Sequence, residues 1–166
     1  IFLQMHKKGV AYRKTARVFE AGARIGAILA GQTQSVEEAM AEYGRKLGTA
    51  FQLIDDALDY GSTTAELGKN IGDDLAEGKP TLPLIHALKN APAEDQLLMR
   101  SAIENGGLEH IERIAATVKS SGALAYTARK AQQAAEEAIA ALAEVPDSKH
   151  KDSLIELAQF AVARSY

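Results

Sequence analysis

Three carboxylates, Asp55, Asp56 and Asp59, stand in the run Ala50 to Gly61, AFQLIDDALDYG, whose other residues are mostly apolar. At about 100° per residue, Gln52, Asp55, Asp56 and Asp59 recur at i, i+3, i+4 and i+7 and form one helical stripe. Gly48 falls on that stripe too and is expected to leave open space beside it. The remaining faces carry Leu47, Ala50, Phe51, Leu53, Ile54, Ala57 and Leu58. A surface helix has a broad polar face and a narrower apolar one. Here the proportions are inverted, which predicts a buried helix whose acids line a cavity. The bland alternative for a short DDxxD is a solvated acidic face, and the inverted helix argues against it. Carboxylates ~4 Å apart repel by about 1 kcal/mol in water and ~4 kcal/mol at an effective dielectric of 20. A buried cluster therefore needs a cation. Hard oxygen donors, with no cysteine in the chain and no clustered histidine, point to Mg²⁺ rather than zinc. Magnesium takes one or two carboxylates and keeps places for water and phosphate oxygens, so the stripe predicts a phosphorylated ligand.

Complementary charge follows in the segment Gly61 to Pro80, which has little periodicity and carries Lys69, Lys79, Asp73 and Asp74 among Gly68, Gly72 and Gly78. Loops longer than ~12–15 residues are usually functional or disordered. Glycines let backbone approach a ligand, and lysines act as point charges for phosphate. A plain surface loop is the alternative. Upstream, Lys14 lies on the apolar stripe Ala11, Val18, Ala21, Gly22, Ile25 and Leu29. A lysine near a helix end commonly snorkels to solvent; joined to Thr15 and the acidic helix, it reads as another phosphate contact. Gly22, Gly26 and Ala30 form a small-residue ridge, suited either to close helix packing or to bordering a groove for a long apolar chain.

Helices must position these groups. Periodicity predicts Tyr12 to Ala30, with Gly31 as its stop, then a helix from Val36 to about Tyr60, with Ser35 as N-cap and Glu38 closing a capping box. Later helices are expected at Leu82–Lys89, Ala93–Glu104, Leu108–Ser120, Ala123–Glu144 and Lys149–Arg164. Asn90, the NGG at 105–107, Gly122 and Pro146 are their stops. No stretch alternates with period two long enough for a strand. The fold class is all-α.

With 166 residues, 46% hydrophobic and 25% charged, the chain fits one globular domain with a real core. A net charge of -3 without a basic run argues against nucleic acid as the main partner. The absence of cysteine leaves no disulfide framework and is compatible with the cytoplasm. No apolar run reaches the ~18–20 residues of a transmembrane segment. The opening Ile1, Phe2 and Leu3 precede the basic His6, Lys7 and Lys8, the reverse of signal-peptide order.

The stretches GTAFQLIDDALDY (48–60) and LGKNIGDDLAEGKPTLPLIHAL (67–88) resemble the second aspartate-rich motif and downstream loop of trans-polyprenyl diphosphate synthases. YRKTARVFEAG (12–22) resembles their upstream lysine motif. The wording of GKNIGDDLAEGKPTLPL and of AEEAIAALAEVPDS is most similar to the bacterial octaprenyl diphosphate synthases, which make the ubiquinone side chain. The resemblance runs from about Val10 to the C-terminus. It implies a helical bundle of the isoprenoid synthase type around a deep cavity, with residues 1–166 as its C-terminal part. It implies Mg²⁺, an allylic diphosphate and isopentenyl diphosphate as ligands, and a homodimer for the intact enzyme. On matching positions, Asp55 and Asp59 would ligate Mg²⁺, with Asp56 and Asp74 in support. Lys14, Lys69 and Lys79 would hold the allylic diphosphate, and Thr15 and Gln52 would steady the developing cation.

The family's first aspartate-rich motif and the basic residues that hold isopentenyl diphosphate are absent from these residues, and IFLQMHKKG departs from the family pattern. Three function classes follow: a metal-dependent prenyltransferase, a non-catalytic subunit of a heteromeric synthase, and a plain helical interaction domain. Retention of DDxxD, Gln52 and the three lysines favours the first.

Overall fold

The computed structural model describes residues 15–61, 73–76, 79–105 and 109–164. Every regular element among them is helical: α1 (Arg17–Leu29), α2 (Gln34–Gly61), the single turn α3 (Asp73–Ala76), α4 (Leu82–Asn90), α5 (Ala93–Asn105), α6 (Ile111–Ser120), α7 (Ala123–Ala141) and α8 (Lys149–Ala163). A wide π-type turn at Thr15 and Ala16 leads into α1, and a 3₁₀ turn, Leu142–Glu144, ends α7. The described residues form two compact units, one within Asp55–Ala128, the other of residues 15–54 and 129–164.

The second unit is built on a close crossing of α1 and α2. A Cβ on Gly48 would sit 2.7 Å from Ala16 Cα and 3.1 Å from Phe19 Cβ, and one on Gly44 would collide with the Phe19 carbonyl. Gly48 therefore marks a backbone approach, not the open space its place on the acidic stripe suggested. Sequence shows that a side chain is missing but not what fills its place. The face of α1 turned to this crossing is Ala16, Phe19, Ala23 and Ala27, of which Ala16 and Ala27 are buried and Phe19 and Ala23 pack into the core. Val18, Ile25, Ile28 and Leu29, expected inside, are exposed. Small side chains on one helix and glycines on the other allow an approach that valine and isoleucine would block. The Gly22–Gly26 ridge takes no part in this crossing: among the described residues, nothing lies within 4 Å of a Cβ at either glycine.

Around the crossing, Tyr43, Leu47, Ala138, Leu142, Ala158 and Ala161 form the core of this unit. The buried Tyr43 hydroxyl donates to the Leu154 carbonyl at 2.8 Å and so ties α2 to α8. Burial pushes its phenol up to about 12. Lys46 pairs with Glu137 between α2 and α7.

Capping differs from the sequence reading. The Thr33 carbonyl accepts from Glu37 N–H at 3.0 Å and its hydroxyl from Val36 N–H at 3.4 Å, so Thr33, not Ser35, starts α2. Ser35 lies within the first turn, facing Glu144, and Glu38 accepts from the Gln34 side chain instead of closing a box. The expected stops hold at Gly31 and Gly122, whose φ values of 62° and 72° suit glycine.

In the first unit, α4 packs on α5 and α6. Tyr60, Leu75, Leu84, Leu88, Met99, Ile114 and Val118 fill its core. Arg113 on α6 reaches Asp95 at 2.7 Å and Glu94 at 3.2 Å on α5. Pro83 falls in the first turn of α4, where a missing N–H costs no helical bond.

Candidate functional site

α2 carries the whole acidic stripe as one uninterrupted helix, and no residue from Ala39 to Gly61 is exposed. Asp56 is 1% exposed, while Gln52, Asp55 and Asp59 are half-buried. The carboxylates are therefore not a solvated face.

At the α1–α2 crossing, the Thr15 hydroxyl donates to Gln52 Oε1 at 2.7 Å. The π-type turn before α1 and the missing side chain at Gly48, one turn before Gln52, bring these two residues together. Behind Gln52, the Phe51 ring lies 5.9 Å from that of Phe19 and carries the Arg164 guanidinium 4.3 Å above its centre. The Arg164 cation–π contact, at the end of α8, is a support for this segment that sequence alone gave no sign of.

In the other unit, Lys79 Nζ stands 3.1 Å from Asp74 Oδ1, and Lys79 N–H donates to the Asp74 carbonyl at 2.8 Å. Both side chains are partly exposed. The lysine and the loop aspartate singled out in the sequence are thus partners of each other. Lys14 and Lys69 lie outside the described residues.

Two further groups were not anticipated. The Tyr60 hydroxyl and the Thr81 hydroxyl are both buried. They face each other without closing a well-formed hydrogen bond. Burial pushes the Tyr60 phenol far above its ordinary range; the Thr81 hydroxyl opposes this, and the carboxylates of Asp59, Asp74 and Asp56 reinforce it. In the sequence Tyr60 stands only as the end of a predicted helix and Thr81 is not singled out, so neither type marked a site.

The carboxylate oxygens of Asp55, Asp56, Asp59 and Asp74, all among the described residues, are donors of the kind that suits a hard cation. Among the described residues, no group of three or more acidic or histidine side chains converges to hold a metal unaided.

An all-helical chain with a buried acidic helix crossing a second helix at a threonine–glutamine contact has the fold of the polyprenyl synthases. It superposes on a polyprenyl synthase from Roseobacter denitrificans with a TM-score of 0.86 and 38% identity, over 98% of this chain and 53% of that one. It matches a polyprenyl synthase from Caulobacter crescentus, solved with calcium and isoprenyl diphosphate, with a TM-score of 0.83 and 44% identity, over 91% of this chain and 47% of the other. The chain belongs to the polyprenyl synthetase family, whose model matches residues 4–121. The octaprenyl diphosphate synthase of Haemophilus influenzae is 49% identical over 158 residues, 95% of this chain and 48% of that protein. The chain thus spans about half the length of the curated relatives it matches.

Proposed function

We propose that the protein is a Mg²⁺-dependent trans-prenyltransferase that condenses isopentenyl diphosphate with an allylic diphosphate to make a long-chain polyprenyl diphosphate. The observation that carries this reading is the stripe Gln52, Asp55, Asp56 and Asp59 on the Ala39–Gly61 stretch of α2, which has no exposed residue, its first member hydrogen-bonded to Thr15.

Asp55 and Asp59, supported by Asp56 and Asp74, would hold Mg²⁺. When bound, the metal supplies Lewis-acid neutralisation of the diphosphate as it departs. Lys14, Lys69 and Lys79 add fixed positive charge where the leaving group becomes negative. For Lys79 this requires release from Asp74, and a diphosphate carries more charge than the single carboxylate it replaces. The allylic C–O bond breaks with its electron pair going to the diphosphate. The double bond of isopentenyl diphosphate then attacks the allylic carbon, and proton loss leaves a chain one isoprene unit longer. Because Thr15 spends its proton on Gln52 Oε1, its oxygen presents lone pairs, and the fixed amide dipole adds to them. Both favour a developing carbocation.

The octaprenyl diphosphate synthases among the relatives and the wording of the motifs support octaprenyl as the product; a quinone side chain as its destination, a homodimer and the cytoplasm complete the proposal. The test is incubation of the intact protein containing this chain with a short allylic diphosphate, isopentenyl diphosphate and Mg²⁺. Mass spectrometry of the dephosphorylated products should give a forty-carbon alcohol. Products of another length would correct the chain length alone. No isopentenyl diphosphate consumption by the intact protein would overturn the activity and favour a non-catalytic subunit.

A further inference from the structure

Thr81 precedes α4 in extended conformation, φ -69° and ψ 159°, where a threonine hydroxyl ordinarily accepts from the first helical N–H groups. It makes no such bond. The Thr81 carbonyl still accepts from Ile85 N–H at 2.9 Å, so the helix starts normally while the hydroxyl is turned elsewhere. It is turned inward: Thr81 and Tyr60 are each 0% exposed, and neither hydroxyl has a well-formed partner among the described residues. Removing a hydroxyl from water without a good hydrogen bond costs about 1–3 kcal/mol. Valine and phenylalanine would occupy the same two places without that cost. Stability alone does not account for the pair.

Its place in the chain does. Tyr60 follows Asp59 at the end of α2. Thr81 is tied back to Lys79, whose carbonyl accepts from Thr81 N–H at 2.9 Å, and Lys79 holds Asp74. The hydroxyl pair is the polar junction between the end of the acidic helix and the Asp74–Lys79 ion pair. We propose that Tyr60 and Thr81 are positioning residues, whose mutual hydrogen bond closes when magnesium and diphosphate bind and fixes the Lys79 segment against the aspartate helix. This rests on the prenyltransferase reading for its ligand, but its test does not depend on turnover.

The test is calorimetric titration of the intact protein with inorganic diphosphate at saturating Mg²⁺, for wild type, Tyr60→Phe, Thr81→Val, their double variant and Thr81→Ser. Each apolar single variant should weaken binding about tenfold, the scale of one hydrogen bond made only in the complex. The double variant should bind no worse than the weaker single, because the two hydroxyls act as one unit. Thr81→Ser should restore affinity to within about twofold of wild type. Melting temperatures without ligand should stay level or rise in Tyr60→Phe and Thr81→Val. Wild-type affinity in Thr81→Val, full additivity in the double variant, or equal weakening by Thr81→Ser would each overturn the proposal. If Thr81→Val does not fold, Tyr60→Phe and Thr81→Ser decide between the same outcomes. A wild type that binds magnesium and diphosphate without consuming isopentenyl diphosphate would refute the prenyltransferase reading and leave this test intact. A wild type that binds neither would overturn both.

Discussion

Thr15 donates its hydroxyl proton to Gln52 Oε1 across 2.7 Å, joining residues 37 apart in sequence at the crossing of α1 and α2. The bond fixes both donor and acceptor: the threonine proton is used, and the amide is held in one orientation. Loss of either partner should leave the other misdirected. Thr15→Val and Gln52→Leu are each expected to lower kcat by about tenfold or more, with KM for the allylic diphosphate changed far less. The double variant should fall well short of the product of the two effects. Steady-state kinetics of the four proteins checks this, and full multiplicativity would mean that the two side chains act separately.

The crossing that makes this contact rests on glycine. Gly48→Ala puts a methyl group 2.7 Å from Ala16 Cα, so α1 must move. Overpacking of this kind costs typically 1–3 kcal/mol, only partly offset by ~1 kcal/mol of better helix propensity. The variant should therefore unfold at lower denaturant concentration. It should also lose activity, because Thr15 adjoins the displaced residue. Gly26→Ala is the control in the 166-residue chain: among the described residues nothing lies within 4 Å of the new methyl, and stability should rise by roughly 0.5–1 kcal/mol. Urea titration of both variants distinguishes the two cases, and a stabilised Gly48→Ala would refute the close crossing.

These glycines also mark where the sequence was readable and where it was not. The acidic stripe was legible because helical spacing alone puts Gln52, Asp55, Asp56 and Asp59 on one line, and the inverted proportions of apolar residues required burial. The all-helical fold and the Gly31 and Gly122 stops followed from equally local rules. The packed face of α1 was not legible. That helix has two arcs of apolar residues, and the one chosen, Ala16, Phe19, Ala23 and Ala27, is decided by glycines on another helix. Thr33 and Ser35 both suit an N-cap, and which residue starts the helix depends on the path of the incoming chain. Tyr60 and Thr81 were missed for a different reason. Their significance lies in being buried beside each other, and no residue type or spacing along the chain reports that.

Tyr43 gives a pH dependence with a definite sign. Its phenol rises from 10.0 to about 12 on burial, and Tyr60 shifts in the same direction. Below pH ~10 both are neutral folded and unfolded, so their stabilising contribution is fully present. Above it the unfolded phenols ionise first, the folded state binds more protons, and stability falls as pH rises from 10 through about 12. Denaturant midpoints measured from pH 9 to 12 should decline, and Tyr43→Phe should flatten the slope. That variant also loses the hydrogen bond to Leu154, at a cost of about 1 kcal/mol below pH 9. An unchanged slope in Tyr43→Phe would place the titration elsewhere.

Asp55→Asn separates the metal role of the stripe from its structural one. The substitution removes a charge from a line of carboxylates on the Ala39–Gly61 stretch of α2, which has no exposed residue, so repulsion falls and the unliganded protein should be at least as stable as wild type. Binding should change in the opposite direction. In wild type, Mg²⁺ with inorganic diphosphate should raise the melting temperature more than either alone, because the cation relieves the carboxylates and the diphosphate needs both the cation and the lysines. In Asp55→Asn the joint shift should shrink, and turnover in the intact enzyme should fall by a factor of ~10² or more, the scale of one lost fixed charge at a developing anion. Thermal melts with NaCl at matched ionic strength control for screening. A wild type whose shift is the same with NaCl, or an Asp55→Asn variant with normal turnover at low Mg²⁺, would remove Asp55 from the metal site.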